Sequence, residues 1–112
     1  MSATIATYRA FWPFYLEEHS KPLTRGLHYA GTTLVFVALA AAIWTRNWWL
    51  LPLMPVAGYG FAWAAHFVVE KNRPATFTYP FWSLFSDFRM YFVWLFGGLA
   101  GELRKYNIVA RA

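Results

Sequence analysis

The apolar positions of this chain fall into two long runs joined by a short polar tip. Between His28 and Arg46 lie seventeen uncharged residues, Tyr29 to Thr45. As a helix they extend about 26 Å, near the lower limit for crossing a hydrocarbon core of about 30 Å. Asn47 to Ala65 adds nineteen more, and the uncharged run continues past His66 to Val69. Only Arg46-Asn47 interrupts the two, with Trp44, Trp48 and Trp49 beside it, as in an interfacial aromatic belt at a turn. The pattern predicts a transmembrane helical hairpin, about 29–45 and 48–69, with its tip at 45–49. Gly58 and Gly60 are expected to let the second arm pack closely on Ala38, Ala40, Ala41 and Ala42.

The flanks read as shorter elements. Residues 8–16 are aromatic and carry Pro13, which suits an interfacial helix better than a span. Residues 74–88, rich in Phe, Trp and Tyr, are expected at the interface too. Met90 to Gly101 is uncharged but makes only about 18 Å of helix. Gly97, Gly98 and Gly101 have the spacing of helix-packing glycines. The expected fold is all-α: one membrane-embedded bundle over residues 1–112, built on the hairpin, with flanking helices at about 5–18 and 80–105.

Composition sharpens this picture. The chain is 59% hydrophobic, 22% aromatic and 13% charged, with no cysteine. These values exclude a disordered chain, a disulfide scaffold and a thiolate metal site. A soluble monomer of this size would lack the polar residues to coat its surface, which keeps a homo-oligomer open. The net charge of +5 is scattered and forms no basic face, so membrane lipid headgroups, not nucleic acid, are the expected partner. Arg9, Lys21 and Arg25 precede the hairpin and Lys71, Arg73 and Arg89 follow it, whereas the tip carries only Arg46. Both open ends are therefore expected on the cytoplasmic side.

That orientation gathers the chemistry. The chain has three histidines, His19, His28 and His66, and all fall at the open end of the hairpin. His66 and Glu70 share one helical face, and ionisable groups at membrane depth are functional candidates. Pro22 is expected to break the chain and fold the His19 segment back towards His28. Three imidazoles with Glu70 or Asp87 nearby make an N/O site that iron, zinc or manganese would each suit. The plainer reading of each histidine alone is an interfacial hydrogen-bonding residue. Arg25 and Arg73 could meet an anionic substrate group, with Lys71 and Asn72 beside them, although Lys71 also fits a simple positive-inside anchor. No HExxH, GxSxG or phosphate-loop motif is present.

The runs Phe14–Thr32 and Gly58–Phe77 contain H-x8-H followed by G-x-G-x5-H-x3-E. The combination resembles a family of small membrane proteins whose fungal member is a 2-hydroxy fatty acid dioxygenase. The resemblance covers roughly residues 9 to 105, and residues 72–90 look like the bacterial branch. It implies an Fe(II)-dependent enzyme of fatty acid α-oxidation in the bacterial inner membrane, acting with O2 on a 2-hydroxy fatty acid. It implies His19, His28 and His66 as iron ligands, with Glu70 the matching motif acid. In that mechanism Arg25 or Arg73 would neutralise the substrate carboxylate. Glu70 would orient a histidine or take the hydroxyl proton. The alternative is a non-catalytic scaffold or a subunit of an oligomeric transporter, which explains the aromatics but not the histidines at one end.

Overall fold

A computed structural model describes residues 4–108, which form an all-α bundle. Helix α1 runs Tyr8–Glu17, α2 Pro22–Thr45, α3 Leu53–Ala64, α4 Pro80–Leu95 and α5 Leu99–Lys105. Short 3-10 turns occupy Trp48–Leu50 and Ala75–Phe77, and a π-helical segment, Ala65–Glu70, continues α3. The hairpin is the frame of the molecule. Its arms, Pro22–Thr45 and Trp48–Glu70, are both long and apolar enough to cross a membrane.

The hairpin turns as its polar tip requires. Arg46 adopts a left-handed conformation (φ 54°), and the Asn47 side chain accepts a hydrogen bond from Trp49 N at 3.3 Å. Trp44 and Trp49 are 90% and 86% exposed there. The first arm starts seven residues earlier than apolarity alone suggests. Pro22 sits at the first helical turn, where its fixed φ and missing N–H cost nothing, so it opens α2 while ending the preceding loop.

The close contact between the arms lies nearer the open end than expected. A Cβ on Gly31 would fall 2.9 Å from Phe61 Cβ and 3.2 Å from Ala57 O, and one on Gly58 would fall 3.2 Å from Val35 Cγ2. A Cβ on Gly60 would meet nothing within 4 Å, so Gly60 is not a packing glycine. The reason is angular: two positions apart on a helix point to different faces.

The flanking elements also differ from the reading of the pattern. The aromatic face of α1 turns inward: Phe11, Trp12, Tyr15 and Leu16 are all at most 1% exposed. They form the core with Tyr29, Ala75, Met90 and Leu99. Residues 80–105 are two helices, not one. Gly97 takes φ 86°, and Gly98 N bonds to Val93 O at 2.8 Å while Gly97 N bonds to Trp94 O at 3.0 Å. These are the paired bonds of a glycine-terminated helix end, so Gly97 makes a turn and not a helix contact. Arg89 then joins the elements. Its guanidinium lies 4.0 Å from the Trp12 ring centroid and 3.8 Å from Glu102, which in turn accepts Trp12 Nε1–H at 3.1 Å.

Candidate metal centre

Three separate elements supply the histidines. His19 lies in the loop after α1, His28 on the second turn of α2, and His66 in the π-helical end of the second arm. All are buried, at 1%, 5% and 3% exposure. Their ring centroids are 4.4 Å (19–28), 4.5 Å (19–66) and 5.2 Å (28–66) apart. One ring nitrogen from each lies within 4.8 Å of the other two.

Hydrogen bonding assigns the tautomers. His19 Nδ1 is 2.6 Å from the Tyr15 carbonyl oxygen, which can only accept, so Nδ1 carries the proton and Nε2 a lone pair. His66 Nδ1 is 2.7 Å from Asn72 Oδ1. The orientation of that amide is set because Asn72 Nδ2 donates to Glu18 O and Oε2, both at 3.1 Å. His66 Nδ1 is therefore the protonated nitrogen too. His28 Nδ1 faces Asp87 Oδ1 at 3.7 Å, and Asp87 accepts the hydroxyl proton of the buried Tyr15.

The consequence is that His19 and His66 each keep Nε2 unprotonated. His19 Nε2 and His28 Nε2 stand 3.0 Å apart. Asp87, 3.7 Å from His28 Nδ1, is beyond hydrogen-bond reach and does not fix the His28 tautomer, so the His19 Nε2 lone pair is met either by the His28 Nε2–H or by a cation shared between the two rings. The donor set therefore fits a divalent first-row ion, with nitrogen ligands held from behind by acceptors.

The electrostatics agree. Burial, then the neighbouring His28 and His66, lowers the His19 imidazole well below its usual range, so it is neutral and able to bind metal. Burial raises the Asp87 carboxyl to about 7, while the bond from Tyr15 works in the opposite direction. Burial and the adjacent Asp87 raise the Tyr15 phenol.

A cavity of about 330 Å³ opens at His28 and Asp87 and runs between α2, α3 and α4. Val35, Gly58 and Phe88 line its sides, and Met54 and Pro55 lie towards the hairpin tip. A buried imidazole cluster thus stands at one end of an apolar groove.

The family model described as "Mpo1-like: 2-hydroxy-palmitic acid dioxygenase Mpo1-like" matches residues 5–99. The chain belongs to this family. No curated protein and no solved structure matches the chain. The Mpo1-like match takes in all three histidines, and the family's name points to a dioxygenase of fatty acid metabolism.

The other candidate residues of this Mpo1-like chain are distributed around the cluster. Glu70 accepts Ser20 Oγ–H at 2.9 Å, Thr24 Oγ1–H at 2.6 Å and Lys21 N–H at 3.3 Å. Its carboxylate pins the His19 loop to the end of the second arm and is not among the converging ligand atoms. Arg25 Nη1 donates to the carbonyls of His19 and Ser20 at 2.8 and 2.9 Å. Arg25 also borders a separate cavity, with Tyr29, Trp94 and Leu99, and not the groove at His28. Arg73 is exposed with its guanidinium 5.4 Å from the Phe77 ring centroid, and exposed Lys71 ends the π-helical segment at φ 60°. Asn72 is the acceptor for His66.

Ser20, Thr24 and Tyr15 were not legible as site residues. Ser20 and Thr24 look like ordinary loop and helix-start residues, and Tyr15 sits in an aromatic run. Only the spacing of Tyr15, one helical turn before His19, carries a trace of its role. The π-helical widening at His66 has no signature in the sequence, although such segments recur at functional sites.

Proposed function

We propose that this chain is an Fe(II)-dependent membrane dioxygenase that shortens a 2-hydroxy fatty acid by one carbon. The observation that carries this reading is the buried trio of imidazoles, one ring nitrogen from each within 4.8 Å of the other two, at one end of an apolar groove. His19, His28 and His66 would hold the ion. Iron supplies the redox chemistry with O2 that no side chain of this chain can perform. Cleavage of the C1–C2 bond consumes one O2 and balances as a carboxylic acid one carbon shorter, CO2 and water.

The protein's own residues do the positioning. The Tyr15 carbonyl and Asn72 hold His19 and His66 in the tautomer that leaves Nε2 free, and Asp87 stands 3.7 Å from His28 Nδ1. Glu70 and Arg25 hold the loop that carries His19. Arg73 with Lys71 adds positive charge at the same end of the hairpin, which favours an anionic headgroup there, while Arg25 stays on the carbonyls of the His19 loop. The acyl tail lies in the groove beside His28, where apolar walls replace water. With the hairpin ends on the cytoplasmic side of a bacterial inner membrane, the headgroup meets the metal at the interface while the tail stays at lipid depth.

The test is oxygen uptake together with mass analysis of products. Protein purified anaerobically and loaded with Fe(II) is given a long-chain 2-hydroxy fatty acid. The expected result is stoichiometric loss of O2 and a product shorter by one carbon, both absent from His66→Ala. No turnover at any chain length, or full turnover by His66→Ala, refutes the reading.

A further inference from the structure

The groove runs from His28 and Asp87 at one end to Met54 and Pro55 at the other. Its sides are set by the pairing of the hairpin arms, with Val35 against Gly58 and Gly31 against Phe61. Met54 lies one helical turn beyond Gly58, towards the tip, and twelve residues before His66. At 1.5 Å per residue that places Met54 about 18 Å along the arm from the histidine cluster. Half of a hydrocarbon core of about 30 Å is about 15 Å, so the groove matches one leaflet's worth of extended acyl chain. Beyond Met54 and Pro55 come the turn at Trp48–Leu50 and the exposed Trp49.

Resting on the function proposed above, we infer that Met54, with Pro55 beside it, is the floor of an acyl groove and sets the upper limit of substrate chain length. The headgroup is held at the His28 end, so the methyl end of a bound chain stops at Met54. Methionine is unbranched and deformable, while the Pro55 ring is rigid, so the limit is graded by the residue at position 54. Filling the floor excludes long chains. Emptying it admits longer ones. The histidines, about three helical turns away, keep their geometry in either case.

The experiment measures binding and turnover separately. A series of saturated 2-hydroxy fatty acids of increasing length displaces a fluorescent fatty acid from detergent-solubilised protein in the presence of chelator. The same series is then assayed for O2 uptake after Fe(II) loading. In the wild type, affinity rises with length and then breaks at a limiting chain. Met54→Trp is expected to move the break to shorter acids, lowering affinity for the wild type's longest good ligand about tenfold or more. Met54→Ala is expected to move it to longer acids, and keeps the test available if the tryptophan variant does not fold. A break unmoved in the folded variants, or no break at all, overturns the inference; turnover by the wild type in that case leaves the dioxygenase reading standing. Breaks that move as expected without any turnover uphold the groove and overturn the dioxygenase.

Discussion

Asn72 offers a sharp test of how the centre is built, because one small side chain does two separable jobs. Its Oδ1 accepts from His66 Nδ1 at 2.7 Å, and its Nδ2 donates to Glu18 at 3.1 Å. Asn72→Ala removes the acceptor that keeps the His66 proton on Nδ1. The imidazole is then free to rotate or to place its proton on Nε2, the nitrogen that faces the cluster. Loss of such an outer acceptor commonly weakens metal binding 10- to 100-fold, about 1.4–2.7 kcal/mol. Asn72→Asp separates the roles: it keeps an oxygen facing His66 but loses the donor to Glu18 and sets two carboxylates together. The assay is a chelator-competition titration of Fe(II) or Co(II), with thermal unfolding of the metal-free protein in detergent as the second readout. Asn72→Ala should lose affinity, whereas Asn72→Asp should keep most of it while unfolding at lower temperature. Unchanged metal affinity in Asn72→Ala, or equal loss in both variants, refutes the tautomer assignment for His66.

Three further outcomes are expected. Glu70→Ala leaves the buried Ser20 and Thr24 hydroxyls without their acceptor; at about 1.5–3 kcal/mol for each bond to a charged group, both thermal stability and metal occupancy should fall, and a variant with wild-type metal content would show that the loop is held by other means. Gly31→Ala drives a methyl to within 2.9 Å of Phe61 Cβ and 3.2 Å of a backbone oxygen, and overpacking of this kind costs about 1–3 kcal/mol; Gly60→Ala, in open space, should leave the melting temperature unchanged. Divalent metal should raise the melting temperature, by about 2.7 kcal/mol of stability at a free concentration one hundred times Kd; the gain should vanish with chelator and in His28→Ala.

Much of the frame was legible because its signal is one-dimensional. A helix that must bury nothing polar over its length declares itself by an uncharged run, so both arms and the tip at Arg46-Asn47 are visible without coordinates. The histidines were legible as a group for a related reason. A hairpin brings its two open ends together, and Pro22 ends the preceding segment beside them. Periodicity, however, registers only that a face is apolar, not what covers it. The stripe of Phe11, Trp12, Tyr15 and Leu16 reads the same whether it meets lipid or protein, and here it forms the core. The break at Gly97 was hidden for a similar reason: glycine serves both in close helix packing and in turns, and only its φ of 86° distinguishes them.

The candidate site divides along the same line. Which residue types could act, His19, His28, His66, Glu70, Asp87 and Arg25, follows from the scarcity of ionisable groups in so apolar a chain. The partner of each is a matter of angle and distance across elements far apart in sequence. Glu70 reaches Ser20 and Thr24 across about fifty residues, Tyr15 reaches Asp87 across 72, and Asn72 turns back onto His66 through a π-helical segment. The sequence by itself determined a helical hairpin with three imidazoles at its open end, since charge placement and helical rise suffice for that. Only the tertiary structure decided which nitrogen of His19 and His66 faces inward and that Glu70 is a brace. It also decided that the cluster opens onto a groove, because these depend on side-chain directions that no spacing along the chain encodes.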